Sequence, residues 1–373
     1  MKAAVVSRAA ARTDREKRIL IEAQAAPMRP QWMFTRTGWD RYVHEHLEPP
    51  DLQDCAPPGT PVADDDPRLV YNSHLRLVTY PAFDTALLKA HRVLWANRNR
   101  RDGFLDMSID GPAGTGKSLL LREIGRSYQQ SIEKHYTGRI PVIHILAPQD
   151  TDSLVNWVWE IARFLALAPE PKNEEEMLQP RRVSDLSGPV QHVLERSQTG
   201  LLLIDDIQRV TTDQLAPVLH YFDYLRNRLG ISTVFCGTGA QQVVHSARIK
   251  ADDHGTVESA LRQRLPSQKD ERNATLMPGV TPGRLPVTWV DPLPFHQGDQ
   301  ITWPRVLRGF EQDLRLHRLS ENALVSQASD LHQRTGGYLK LASQLICQAA
   351  VAAIEEDIED ITPDLIASIN MGG

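Results

Sequence analysis

The stretch LDMSIDGPAGTGKSLLLREIGRSYQQ, residues 105–130, decides the architecture. Its first six residues form a short apolar run that reads as a strand, and Leu119–Gln130 has the apolar spacing of an amphipathic helix. Between them Gly111-Pro112-Ala113-Gly114-Thr115-Gly116-Lys117-Ser118 fits the pattern G-x-x-x-x-G-K-[S/T] in full, with Leu119 opening the helix. Gly111, Gly114 and Gly116 let the backbone curl through positive φ. The curled N–H groups and the helix N-terminus then make an anion site. Lys117 is expected to reach the β- and γ-phosphates of ATP, and Ser118 to offer Mg²⁺ a hydroxyl ligand.

Downstream, strand and helix signals alternate. PVIHIL (141–146) reads as a strand, Ser153–Leu167 as a helix, 169–189 as an exposed loop, GLLLI (200–204) as a buried strand and Asp213–Leu229 as a helix. ISTVFC (231–236) is another strand. A helix is expected near Val257–Leu265, and LPVTWV (285–290) is a candidate fifth strand. Continuous apolar strands alternating with helices indicate a parallel sheet covered on both faces, an α/β fold. Beyond DPLPF (291–295) only helical signals remain, near 301–316, 321–333, 338–354 and 363–369. Upstream, residues 1–70 hold eight of the 25 prolines and read as an extended arm with one short basic helix near 7–25. The expected organisation is a proline-rich arm (1–70), an α/β ATPase domain (71–295) and a helical lid (296–373).

The strand 201–204 runs into Asp205-Asp206 at the edge where ligands sit in open α/β sheets. Asp205 fits a Mg²⁺-organising carboxylate, and Asp206 one that faces the γ-phosphate and orients the attacking water. Thr238, just past the strand 231–236, is the candidate polar contact to the γ-phosphate or that water. Arg262 and Arg264 in LRQRL are candidates for a guanidinium that reaches a neighbouring subunit's ATP, with Arg264 the first choice. Lys340, in Gly336-Gly337-Tyr338-Leu339-Lys340, is the candidate for a phosphate contact made from the lid.

Composition narrows the remaining possibilities. The chain of 373 residues is 41% hydrophobic and 24% charged, with a net charge of −5, so it is neither disordered throughout nor a basic nucleic-acid coat. No apolar stretch approaches a membrane span and no secretory leader opens the chain, so a cytoplasmic protein without membrane contact is expected. Cys55, Cys236 and Cys347 lie far apart, which indicates neither a disulfide framework nor a zinc site. Any contact with DNA must come from local clusters: Arg98, Arg100 and Arg101 before the first strand, and Lys134 and Arg139 after the phosphate-loop helix. The absence of interleaved aromatics favours duplex backbone over single strands.

The order of these features resembles an AAA+ ATPase. Over about residues 70–370 it is most similar to the TniB/TnsC group of transposition ATPases, with MuB-like target-selection proteins as relatives. The resemblance rests on YNSHLRLVTYPAFDTAL (71–87), GPAGTGKS, LLLIDDIQRV, TVFCGTGAQ followed by LRQRL, DPLPF and TGGYLKLASQLICQAAVAAI (335–354). It implies ATP-bound copies assembling side by side, as a ring or helical filament on duplex DNA. It further implies engagement of a transposase and a target-selecting adaptor, and hydrolysis that resets the assembly. Lys117, Ser118, Asp205, Thr238, Arg264 and Lys340 match the family's functional elements. The chain departs from that pattern at Asp206, where most relatives carry glutamate, which withdraws the carboxylate by about 1.5 Å; slow or partner-stimulated hydrolysis is expected. It departs again at Lys340, where arginine is usual, and in the length of its arm. Two alternatives remain open: a nucleotide-switch signalling or scaffold NTPase that does not bind DNA, and a helicase-loader or initiator-like ATPase.

Overall fold

The computed structural model describes residues 32–44, 48–63, 65–73, 78–100, 105–136, 138–149, 154–167, 183–255 and 286–370. Among them five strands form one sheet: β1 (Met107–Asp110), β2 (Val142–Leu146), β3 (Leu201–Asp205), β4 (Ser232–Cys236) and β5 (Val287–Trp289), in the order β2-β3-β4-β1-β5. Every neighbouring pair is parallel, with Ile143 beside Leu202, Leu202 beside Thr233, Met107 beside Val234 and Ser108 beside Val287. The three central strands β1, β3 and β4 are buried at every residue, because helices cover both faces.

The helices are α1 (Arg36–His44), α2 (Pro67–Ser73), α3 (Pro81–Arg98), α4 (Lys117–Glu133), α5 (Leu154–Phe164), α6 (Val183–Arg196), α7 (Thr212–Leu229), α8 (Ala240–Gly255), and then α9 (Thr302–Asp313), α10 (Ala328–Thr335), α11 (Leu339–Glu355) and α12 (Pro363–Ser368). Helix α4 sets Leu120, Leu121, Ile124 and Ile132 into the core at helical spacing. An aromatic column links α5, α7 and β4: Trp157 meets Phe222 edge-on at 5.4 Å, and Phe222 meets Phe235 at 6.1 Å. Helix α7 starts in a capping box, with Thr211 and Gln214 satisfying each other's backbone N–H groups. After β5 only helices follow. Trp303 of α9 is fully buried and donates its indole N–H to the Ala328 carbonyl at 2.8 Å. Among the described residues no helix is long and apolar enough to cross a membrane.

Three local readings change. The loop expected over 169–189 gives way at Val183 to α6, whose Val190 and Leu194 are buried; Pro189 sits on its exposed side. Helix α8 had no expectation, because its buried stripe (Ala240, Val244, Ala247, Ala251) is mostly alanine and gives a weak apolar signal. The helix expected over 321–333 splits into a 3₁₀ turn, Val325–Gln327, and α10. There Glu311 accepts the N–H groups of Asn322 and Leu324 (both 2.9 Å), fixing the preceding turn. The helices expected over 7–25 and 257–265 lie outside the described residues, as do Arg101, Arg262 and Arg264.

The described part of the proline-rich segment, from Trp32 to Ser73, is docked at two places. Its first half grips the α/β region: the Trp39 indole donates to Gln129 (2.7 Å), Tyr42 to Glu123 (2.6 Å), and the Met33 carbonyl meets His144 Nδ1 (3.0 Å). Burial lowers the His144 pKa to about 3, so this contact is made by neutral imidazole. Its second half grips the helical region. Arg68, fully buried, reaches both Glu359 oxygens (2.9 and 3.0 Å) and both Asp66 oxygens (3.1 and 2.9 Å), with the Ala56 carbonyl at 3.1 Å. Tyr71 donates to Asp313 (2.6 Å), and Asn72 exchanges hydrogen bonds with the Arg315 backbone.

A buried cation with two carboxylates is strongly destabilising when broken from one side, since the carboxylates are left unpaired. Arg68→Ala is expected to lower the unfolding free energy by about 3–5 kcal/mol, read by urea denaturation; a loss below about 1 kcal/mol, the range of an exposed pair, would remove the clamp from the energetics of the fold.

Candidate nucleotide site

All five strands point the same way, so β1, β3 and β4 deliver their C-terminal ends to one edge of the sheet. Strand spacing separates the ends of β1 and β3 by roughly 10 Å, and the end of β4 fills the gap. The phosphate-loop glycines adopt positive φ: 142° at Gly111, 82° at Gly114 and 100° at Gly116, the residue before α4. At Gly111 a Cβ would run into the carbonyl of Val290, just past β5, so that neighbour demands glycine there as well.

Lys117 is nearly buried at the start of α4, and its ammonium donates to the Pro112 carbonyl at 2.6 Å and the Thr238 hydroxyl at 3.3 Å. Burial pushes its pKa down, opposed by the charges of Asp110, Asp205 and Asp206. The Ser118 hydroxyl donates to Asp205 Oδ1 at 3.0 Å, and the same oxygen accepts the Asp206 N–H at 2.9 Å. Burial raises the Asp205 pKa, opposed by those two hydrogen bonds. Thr115 closes the loop on itself through the Pro112 carbonyl (3.0 Å), and Ala113 is exposed at its tip. Leu119, half-buried, packs on the core. From the helical region, the backbone N–H of Lys340 donates to the Gly114 carbonyl at 3.0 Å, while the Lys340 side chain is exposed. The structure thus brings Lys117, Ser118, Asp205, Asp206 and Thr238 to one place and sets the start of α11 against the loop.

A residue of the site without a prior expectation is Asp110. Asp110, the last of β1 and buried, accepts N–H groups from Gly111 (2.7 Å), Gly239 (2.8 Å) and Gln241 (2.9 Å). It ties the phosphate loop to the loop after β4. A carboxylate directly before the first loop glycine was its only sequence signal. A cleft of about 470 Å³ opens beside this joint, edged by Pro112, Thr238, His245 and Trp289.

The donor set fits triphosphate with Mg²⁺: a glycine cradle, one lysine, and a hydroxyl and carboxylate offering hard oxygens. Among the described residues no group of three or more His, Cys, Asp or Glu side chains is arranged to hold a metal alone, so Mg²⁺ here would draw its other ligands from phosphate and water.

Asp205 has a folded pKa above its unfolded value, so its share of stability is held only while it is neutral and is lost as pH rises through the folded pKa. At neutral pH Asp205→Asn is expected to leave the nucleotide-free fold as stable or more stable in thermal melts, while Mg²⁺-dependent stabilisation by ATP disappears. Lys117→Ala is expected to abolish ATP binding in calorimetry; retained tight binding would refute the assigned site.

Residues 105–241 match the family described as AAA domain. No curated protein matches the chain in sequence. Among solved structures the chain is similar to the Aeropyrum pernix ORC2 protein. The ADP form is 13% identical over 80% of this chain and 70% of that one, with TM-score 0.53; the ADPNP–ADP complexes are 14% identical over 80% and 69%, with TM-score 0.52. The Aeropyrum pernix ORC1 protein in complex with DNA is 15% identical over 78% of this chain and 65% of that one, with TM-score 0.48. The chain therefore spans about two thirds of the length of these structures. The five-stranded parallel sheet, the phosphate loop and the helical C-terminal region together are an AAA+ P-loop fold, within which residues 105–241 match the AAA domain family.

Proposed function

We propose that this protein is an ATP-dependent regulator of DNA transposition. ATP-bound copies would assemble as a ring or helical filament on duplex DNA in the cytoplasm, engage a transposase and a target-selecting adaptor, and disassemble on hydrolysis. The observation that carries the ATPase reading is the convergence of two hydrogen-bonded pairs, Lys117 with Thr238 and Ser118 with Asp205, on adjacent residues of the phosphate loop. The transposition reading rests on the resemblance of 71–87, 201–210 and 335–354 to that group. The proposed division of labour is an arm (1–70), an ATPase domain (71–295) and a lid (296–373).

In this reading the loop N–H groups and Lys117 neutralise the phosphates, and catalysis is positioning plus charge stabilisation. Mg²⁺ would be held by Ser118 and Asp205 and would supply positive charge to neutralise the phosphates. Asp206 orients the attacking water and takes up its proton, Thr238 contacts the γ-phosphate, and Arg264 of a neighbouring copy completes the site. The start of α11 touches the phosphate loop at Gly114, which gives the lid a direct way to respond to the phosphates. Lys340 would contact them from there.

For DNA, the proposed contacts are Arg98, Arg100, Arg101, Lys134 and Arg139. Arg98 and Arg100 edge a cleft of about 450 Å³ with Arg228, beside Gly200 and Ser232 where β3 and β4 begin. Lys134 caps the C-terminus of α4, and Arg139 lies three residues before β2, so both belong to this same end of the sheet, opposite the nucleotide edge. Helix C-termini attract cations for stability alone, so the salt dependence of binding decides their role. A second reading, an initiator- or loader-like ATPase, is favoured by the fold similarity to ORC2. The two readings share ATP and DNA and differ in the partner.

Electron microscopy of the full chain with duplex DNA and a non-hydrolysable ATP analogue is expected to reveal rings or filaments that vanish with ADP; no assembly under either condition would overturn the proposal. Asp206→Asn is expected to bind ATP, to lose at least about 100-fold in turnover, and to hold the assembly. Replacing Arg98, Arg100, Lys134 and Arg139 with alanine is expected to flatten the salt dependence of DNA affinity, by about 0.9 in log–log slope for each phosphate that is no longer neutralised.

A further inference from the structure

Gln208 joins two parts of the site, Asp206 and Thr238, that are 32 residues apart in sequence. Its Nε2 donates to Asp206 Oδ1 at 3.0 Å, and its Oε1 accepts the backbone N–H of Thr238 at 3.1 Å. With the Lys117–Thr238 hydrogen bond, a continuous path runs from the carboxylate after β3, through one amide, to the loop after β4 and on to the phosphate-loop lysine. A primary amide is a neutral side chain that donates to a carboxylate with one atom while accepting an N–H with another. These two partners also fix which end of the amide is oxygen. A Cβ on Gly237 would overlap Gln208 Oε1, and Asp206 itself holds the left-handed conformation (φ 55°, ψ 42°), uncommon for a non-glycine residue.

We infer that Gln208 is a positioning residue for ATP hydrolysis: it holds the Asp206 carboxylate in register with the Thr238 loop, so the water-orienting group and the γ-phosphate contact move as one unit. This rests on the ATPase reading above. Asp206 has a short side chain on a constrained backbone, so its carboxylate is aimed by that backbone and by the amide that grips it. Any shift of the Thr238 loop on losing the γ-phosphate is passed through the amide to Asp206. Gln208 is exposed, so replacing it leaves the core untouched.

The test uses the full chain with ATP and Mg²⁺, and compares wild type, Gln208→Ala and Gln208→Glu, each also in the Asp206→Asn background. Gln208→Glu keeps the size and the acceptor but sets a carboxylate against a carboxylate. Both substitutions are expected to lower kcat by about 10- to 100-fold, the range of a hydrogen bond to a charged group. The Kd for a non-hydrolysable ATP analogue and the melting temperature are expected to stay put. In the Asp206→Asn background the further loss is expected to shrink to less than about twofold, because a residue acting through Asp206 has nothing left to position. An undiminished kcat in both variants, or an equal fractional loss with and without the Asp206 carboxylate, would overturn the inference while leaving the ATPase reading intact. Tight ATP binding by wild type with no turnover, alone or on DNA, would overturn both.

Discussion

The candidate site depends on one constraint: β4 lies between the strand that launches the phosphate loop and the strand that carries the acidic pair. Hydrogen bonding between parallel strands fixes their relative heights, so Gly111, Asp205 and Thr238 arrive at the same edge without any long side chain spanning the gap. Asp110 then locks two of the three loops together by accepting three backbone N–H groups. The buried Gly111 amide would otherwise be a donor without an acceptor, costing about 1–3 kcal/mol.

The site is held against its own preferences. Burial lowers the pKa of Lys117 and raises that of Asp205, so each is pushed toward its neutral form. Asp206 occupies left-handed backbone space. Such features persist where the surroundings over-determine them, and the surroundings here are rich in buried pairing. At the opposite end of the sheet Asp106, buried at the entrance to β1, takes ion pairs from Arg226 (2.8 Å) and Arg248 and accepts the Thr233 N–H. Those contacts join β1, β4, α7 and α8 into one block, so the strand ends above are positioned by a rigid base.

The docked arm gives the helical region a second attachment besides its direct link through residues 290–301. One half is fixed on α4 through Gln129 and Glu123; the other is fixed on Glu359 and Asp313. Residues 45–50 alone separate the two docked parts, a length of about 20 Å when fully extended. Reorientation of the helical region against the sheet is therefore limited by a tether as well as by the contact between Lys340 and Gly114.

The five strands, the phosphate loop and the acidic strand end were all legible in the amino-acid sequence. Each of these is a local pattern: glycine spacing for the loop, an unbroken apolar run for a strand covered on both faces, and a carboxylate at its end. Helix α8 was not legible, because alanines at helical spacing look nearly neutral until the bulky neighbours that cover them are known. Nor was the bolting of the proline-rich segment from Trp32 to Ser73 onto both regions, since Arg68 reads as a surface charge until Glu359, 291 residues away, is brought to it. Asp110 and Gln208 were silent for the same reason. Their partners, Gly239 and Thr238, belong to another strand's end, and only sheet order brings them within hydrogen-bonding distance. Short-range patterning fixes which elements form; which side chains become partners is decided by pairing between distant strands, which no local pattern encodes.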